Sequence, residues 1–442
     1  MRLIQTIKNI FKIEDLRARL IYTLGIILLY RLGKYITLPG IDPSQLGSLR
    51  DQTSSGIMGL LDMFSGGAFS QASIFALGIM PYISASIVVQ LLGIVFPYFQ
   101  KLQKEGESGR RKMNQYTRYL TVAILILQAP TYLVNLDATL LDTAFVLTGP
   151  FFKVSSVIIL TAGTIFVMWL GEKITDKGIG NGISLIIMIG IVARLPANFV
   201  FEAGTRINGA GGLIALIVEV VLLFVVVLGT ILIVQGTRRV PVQYARRIVG
   251  NKQYGGVRQY IPLKVNAAGV MPIIFAQAIM MIPLIFTRYA SSGSGFVVAM
   301  SNMYGFWYNL VMGLLIILFT YFYTAITINP VQMAEDMKKN GGFIPGIKPG
   351  RKTVEFFDSI MSRITLPGSI FLAIIAILPS VAVITGITPQ FAQFYGGTTL
   401  LILVGVVLDT LQQIESHLLM RHYDGLMKSG RVKGRSGAVT SI

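Results

Sequence analysis

Few residues in this chain could do chemistry, and their types rule most of it out. There are no cysteines, which excludes thiolate metal sites, iron–sulfur clusters, disulfides and a cysteine nucleophile. The 2 histidines, His417 and His422, both follow the last apolar block, so no intramembrane pair exists to hold a haem. No Gly-x-x-x-x-Gly-Lys-Ser/Thr run occurs, which removes nucleotide hydrolysis by that route. Gly178-Ile-Gly-Asn-Gly182 has the glycines of a phosphate loop but no strand before it, and reads as a tight turn. Inside the apolar segments the main ionisable residues are Glu219 and Asp409, with Glu172 at a segment end. Arg31 and Lys34 lie toward a segment end, where their charged heads can snorkel to the interface. No nucleophile and base stand out. The chain reads as a non-enzyme without cofactor or metal, its work driven by a partner or a gradient.

Positive charge, by contrast, is abundant. Lys and Arg number 38 against 20 acidic residues, a net charge of +18, which favours anionic partners such as lipid headgroups, RNA or acidic protein surfaces. The charge gathers in two connections, 235–264 and 329–363, with aromatic residues and the turn pairs Gly255-Gly256, Gly341-Gly342, Pro345-Gly346 and Pro349-Gly350. Retention of basic residues on the cytoplasmic side explains part of this bias. Loops this long, with such turns, fit a solvent-projecting docking platform better.

The elements that must carry these groups are membrane helices. Of 442 residues 53% are hydrophobic and 13% charged, about half the charge of a soluble domain. Blocks of about 20 apolar residues can each span a bilayer, and ten are read: 20–38, 74–96, 116–134, 154–170, 183–201, 213–234, 265–286, 306–328, 364–384 and 400–413. Residues 1–19 repeat apolar Leu3, Ile4, Ile7, Ile10 and Phe11 at helical spacing beside basic residues, which fits an interfacial amphipathic helix; a solvated tail is the alternative. With ten spans, all basic residues except Arg31, Lys34, Arg50, Lys153, Arg194, Arg206 and Arg288 fall on the side of both termini, so both termini are expected in the cytoplasm.

The expected fold is an all-α polytopic membrane protein. Its halves, 20–201 and 213–413, are joined by a flexible outer loop at 202–212 and followed by a cytoplasmic tail, 414–442. Five spans per half would give the halves inverted orientations. The stretch Gly59-Leu-Leu-Asp-Met-Phe-Ser-Gly-Gly-Ala-Phe-Ser70 is too broken to span and too apolar for an ordinary loop. A re-entrant half-helix inside a cavity fits it; so does an interfacial helix lying flat. Pro81, Pro272 and Pro283 are expected to kink the second and seventh spans, which points to a site or gate between the halves.

These stretches resemble the SecY family of protein-conducting channels along essentially the whole chain, in its bacterial branch. The most specific blocks are Phe64-Ser-Gly-Gly-Ala68 with Ser73-Ile-Phe-Ala-Leu-Gly-Ile-Met-Pro-Tyr-Ile-Ser-Ala-Ser-Ile87, and Lys104-Glu-Gly-Glu-Ser-Gly-Arg-Arg-Lys112. Trp169-Leu-Gly-Glu-Lys-Ile-Thr-Asp-Lys-Gly-Ile-Gly-Asn-Gly-Ile-Ser184, Pro262-Leu-Lys-Val-Asn-Ala-Ala-Gly-Val270 and Gly396-Gly-Thr-Thr-Leu-Leu-Ile402 add to them.

The resemblance implies two halves around an hourglass pore that passes unfolded secretory proteins and releases membrane helices sideways. It implies a plug over about 57–70, including Leu60, Leu61, Met63, Phe64, Ser65, Gly66 and Gly67. A constriction ring falls on Ile79, Ile83, Ile187, Ile274 and Ile402; isoleucines in helices are otherwise core or lipid-facing. Ser84, Gln90 and Asn266 match polar positions of a lateral gate, or hold helices together permanently. Docking of the SecA motor and the ribosome falls on Arg246, Arg247, Lys252, Lys338, Lys339, Lys348, Arg351 and Lys352. Relatives usually carry arginine at Lys348, and lysine gives up the bidentate fork; they often carry an arginine pair where this chain has Asn251-Lys252. SecE and SecG are the implied subunits, anionic lipids further partners, and the bacterial plasma membrane the location. A secondary solute carrier and an assembly scaffold are the rival readings. The carrier would need paired intramembrane charges, which the sequence does not display, and the scaffold leaves 59–70 unexplained.

Overall fold

Long apolar runs closed by glycine and proline turns give the molecule its architecture. A computed structural model describes residues 13–52, 56–140, 144–147, 149–209, 212–244, 247–249, 252–254, 258–287 and 302–428. The chain divides into two compact units, Leu195–Gly405 and the remainder, Met1–Arg194 with Val406–Ile442.

The first unit opens with α1 (Glu14–Gly33) and the short α2 (Gly56–Phe64). Next come α3 (Met80–Val95), α4 (Pro97–Lys104), α5 (Glu107–Thr139), α6 (Pro150–Lys177) and α7 (Gly182–Val192). In sequence they pack as neighbours: α3 on α5, α5 on α6, α6 on α7, with α1 against α6 and α7. The α6–α7 turn lies at 178–181, where the sequence places it. Asn181 caps α7 by accepting from the Ser184 N–H at 3.3 Å, and a Cβ on Gly182 would lie 2.0 Å from the Gly171 carbonyl oxygen. Only glycine lets the two helices meet so closely. A buried apolar cluster of Leu38, Leu46, Phe69, Tyr132, Leu136 and Phe152 with others fills this unit.

The second unit comprises α8 (Leu195–Asn208), α9 (Gly212–Val234), α10 (Met271–Thr287), α11 (Phe306–Thr327), α12 (Pro330–Lys339) and α13 (Arg351–Ile384). The last helix, α14 (Gly397–Lys428), starts in the second unit and continues as part of the first. Its Gln413 side chain accepts from the Gly180 N–H at 2.8 Å. Ile273, Met280, Tyr308, Ile316, Leu372 and Leu401 form the centre of the second unit's core.

Seven described helical stretches, counting α7 with α8 and α11 with α12 as one each, are long and apolar enough to cross a membrane, or eight if the pair Met80–Gly93 and Pro97–Gln103, bent by 102°, counts as one. The fold is predominantly helical, with departures from the sequence reading. The second span begins at Met80, not 74, and Pro81 opens α3 instead of kinking it; in the first turn its missing N–H is an orphan donor anyway. Likewise Val265 and Asn266 lie in turns, and Pro272 is the second residue of α10. The fifth span is two helices, interrupted at Ala193 and Arg194, and α8 runs on through the expected flexible loop as far as Asn208. The expected tail is helical to Lys428. Residues 1–12, expected in an amphipathic helix, lie outside the described ones.

Beside the helices the chain carries two small antiparallel sheets, one of three strands and one of two. The connection after α9 folds back as strands β1 (Thr237–Tyr244), β2 (Arg247–Val249), β3 (Lys252–Tyr254) and β4 (Arg258–Lys264), and β5 is Gly342–Phe343. The three-stranded sheet has the order β4-β1-β5, antiparallel, with Val240 opposite Ile261 and Gln243 opposite Phe343, and β2 pairs β3. Both basic connections thus belong to one folded body. Val240, Val242, Leu263, Met337, Ile344 and Phe357 form its core, so α12 and α13 close over the sheet.

Candidate functional site

The broken apolar stretch is folded inward in the first unit. Its helix α2 rests on α7, and Met58 and Leu61 pack against the unit's apolar cluster. Met63, Phe64, Ser65, Gly66 and Gly67 are buried. Leu60 lies in α2, its side chain outside the described residues. Beyond Phe64 the chain runs in turns to Ile79, and side chains from two helices, α1 and α5, catch its backbone. The Tyr30 hydroxyl donates to Ser65 O at 3.1 Å and Arg31 Nη1 to Gly66 O at 3.3 Å. Tyr132 donates to Phe69 O at 2.9 Å, its ring edge-on to Phe69 with centroids 4.8 Å apart.

The fit to α7 depends on two glycines. Gly66 has φ +66°, and a Cβ there would lie 2.9 Å from Gly190 Cα. A Cβ on Gly190 would lie 3.0 Å from Gly66 Cα. Backbone therefore touches backbone, a contact any side chain would prop apart. The arrangement is a broken turn buried in protein, the environment irregular backbone needs at membrane depth.

Sequence reasoning missed the charge inside this turn. Asp62, 1% exposed, accepts from the Ser70 N–H at 2.8 Å and pairs with Arg194, which follows α7. The second unit holds another buried group. Arg206 bridges Glu202 at 3.1 Å and Glu219 at 2.5 Å. Glu202 also accepts from the Thr388 N–H at 3.0 Å and from the Thr388 hydroxyl, while Tyr395 donates to Glu219 O at 2.8 Å. The expectation of interiors bare of paired charge is thus corrected. Glu219 ties α9 to α8. A signal existed: ionisable residues in apolar runs are functional candidates by default, and Glu202 and Arg206 stand at i, i+4.

Of the five isoleucines, Ile79 caps α3, Ile83 lies one turn further on, and Ile187 is on α7, all in the first unit. Ile274, in the first turn of α10, and Ile402, on α14, belong to the second. Ile79, Ile187 and Ile402 are buried, Ile83 and Ile274 half-buried. Ser84 and Gln90 are half-buried on α3, and Gln90 donates weakly to Ser86 at 3.4 Å. Asn266 sits in the turn before α10, its Oδ1 buried without a hydrogen-bond partner. A buried acceptor left open in this way costs about 1–3 kcal/mol.

The structure gathers most of the basic positions on the sheet body. Lys338 and Lys339 are exposed in the last turn of α12, where the helix dipole favours cations. Lys348, Arg351 and Lys352 are exposed at the start of α13; Arg351 reaches Glu355 at 3.4 Å, both largely in solvent. Such a pair contributes little, so this face stays electropositive. Arg247 and Lys252 are on β2 and β3, whose side chains lie outside the described residues, as does the whole of Arg246.

The SecY family pattern covers residues 73–411. The chain is 45% identical over 438 residues to the protein translocase subunit SecY of Corynebacterium glutamicum, covering 95% of this chain and 98% of that one. It is 44% identical over 441 residues to the same-named subunit of Mycobacterium tuberculosis, covering 94% and 97%. Among solved structures it is similar to "The structure of a protein conducting channel", with TM-score 0.59, 18% identity and coverage of 90% and 92%. It is also similar to "Sec61 in the Canine ribosome-channel complex from the endoplasmic reticulum", with TM-score 0.57, 18% identity and coverage of 90% and 92%. At that identity the likeness is one of fold.

Proposed function

The chain belongs to the SecY family, and we propose that it is the passive pore through which unfolded secretory proteins cross a bacterial plasma membrane. Both termini are cytoplasmic in this reading, SecE and SecG complete the complex, and the chain catalyses no reaction. The observation that carries the proposal is the buried re-entrant turn 56–79, held by α1, α5 and α7, whose backbone is broken where a solid bundle would be helical. A segment so placed acts as a plug.

Ile79, Ile83, Ile187, Ile274 and Ile402 form the constriction. An apolar neck a few ångströms wide dewets and stops ions, yet it parts around a threading chain because dispersion contacts are not directional. Ser84, Gln90 and Asn266 line the seam through which apolar segments leave. Interhelical hydrogen bonds in a membrane contribute about 1 kcal/mol or less each, which suits a seam that opens. The open Oδ1 of Asn266 favours a changing partner over a permanent bond.

Force comes from SecA or the translating ribosome, docked on the sheet body by Lys338, Lys339, Lys348, Arg351, Lys352 and the β1–β4 hairpin with Arg246, Arg247 and Lys252. Because both basic connections share one core, a push on either is carried through the same sheet body to α13. Anionic lipids balance the remaining positive charge. Ile83→Gly and Ile274→Gly are expected to raise ion conductance of the resting complex in planar bilayers. Unchanged conductance in both removes the ring assignment.

A further inference from the structure

We propose that Asp62 and Arg194 form a charge latch that holds the plug in its seated position. The inference rests on reading 56–79 as a plug and adds what keeps it there. Asp62 lies in the last turn of α2, and Arg194 stands just beyond the Ala193 cap of α7, so their pairing ties the plug to a different helix near its end. The Asp62 side chain is 2% exposed and the Arg194 side chain 24%.

Two more cations stand around the same turn. Arg31 donates to Gly66 O at 3.3 Å, and a Cβ on Gly67 would come within 2.7 Å of Lys34 Nζ. Three bases therefore stand around the turn that carries the buried acid, two from α1 and one that follows α7. Every partner lies in the first unit, so the latch closes without help from the second.

Shape alone would let the plug slide out against weak dispersion forces. Withdrawing Asp62 also separates a desolvated ion pair, and it leaves Arg194 with two like charges and no carboxylate from α2. Breaking a buried pair by removing one partner is costly because the remaining charge is uncompensated, whereas removing both is tolerated far better. That asymmetry separates a latch from a merely well-packed acid.

The test compares resting ion conductance of the full complex in planar bilayers for the parent, D62N, R194Q, the double variant D62N/R194Q, and a chain lacking residues 57–67. Asn keeps the shape of Asp and its acceptor for the Ser70 N–H, so D62N reports charge. Either single variant is expected to leak roughly tenfold or more above the parent, with the double variant leaking no more than the worse single. If D62N fails to assemble, R194Q gives the same readout from the other side. Singles within about twofold of the parent, or a double variant whose leak is the product of the singles, overturn the latch. In that case a leaking 57–67 deletion shows that the plug reading survives, and a tight one shows that it has failed as well.

Discussion

Replacing Gly190 by alanine tests the seating of the plug with one methyl group. Gly190 lies inside α7, so alanine is compatible with its backbone, and the only new interaction is across the interface. The added Cβ would stand 3.0 Å from Gly66 Cα, 3.2 Å from Gly66 N and 3.6 Å from Met63 O. Ordinary contact needs at least 3.4 Å, and each close neighbour is main chain, which cannot rotate aside. Over-packing of this kind costs about 1–3 kcal/mol. Since 1.4 kcal/mol is a factor of ten, the ratio of displaced to seated plug should rise about 5- to 150-fold. Resting conductance of the reconstituted complex reads this ratio, and transport of a precursor with a weakened signal sequence reads it independently. Gly25→Ala is the control: nothing lies within 4 Å of a Cβ there, so helix propensity changes without a clash. Conductance of Gly190→Ala equal to that of Gly25→Ala would refute the claim that the turn at Gly66 seals against α7.

Two further outcomes follow from the sheet body. Phe357 is 0% exposed in its core, and Phe357→Ala should cost about 3–5 kcal/mol locally; limited proteolysis in the 235–264 and 329–363 connections should accelerate while the membrane helices stay protected. Reversing charge at Lys348, Arg351 and Lys352 should weaken motor or ribosome binding, most at low salt, because exposed charges are screened over about 8 Å at physiological ionic strength. Binding indifferent to both substitution and salt would remove these residues from the docking surface.

How far the sequence reveals the fold depends on which force decides each element. Hydropathy located apolar helices because burial in lipid is a property of composition, although seven or eight of the ten expected spans are matched among the described residues, and the basic bias picked out the two connections that share the sheet body. Where helices begin was less legible. Pro81 looks like a kink in a run that is apolar from 74 onward; the backbone instead spends 74–79 in turns and uses proline to open α3. The sheet was hidden because β1 alternates only Val240 and Val242 among polar neighbours, and its second partner, Phe343, is a hundred residues away. Asp62 and Arg194 show the same limit for the site. Each was visible as a charge at the edge of an apolar run, but their pairing is a tertiary fact. The family resemblance marked Gly66 and Gly67; the structure gives a reason for Gly66, which faces the backbone of Gly190.

The most direct test of the account is to trap a secretory chain in transit. The chain has no cysteines, so single cysteines at Ile83, Ile274 and, as a control, exposed Val225 on α9 can be introduced without background. A precursor stalled by a folded C-terminal domain and carrying a cysteine in its spanning stretch should form disulfides with positions 83 and 274 and not with 225. Equal crosslinking at all three positions, or none at 83 and 274 while the precursor is protected from protease, would contradict passage through the isoleucine constriction.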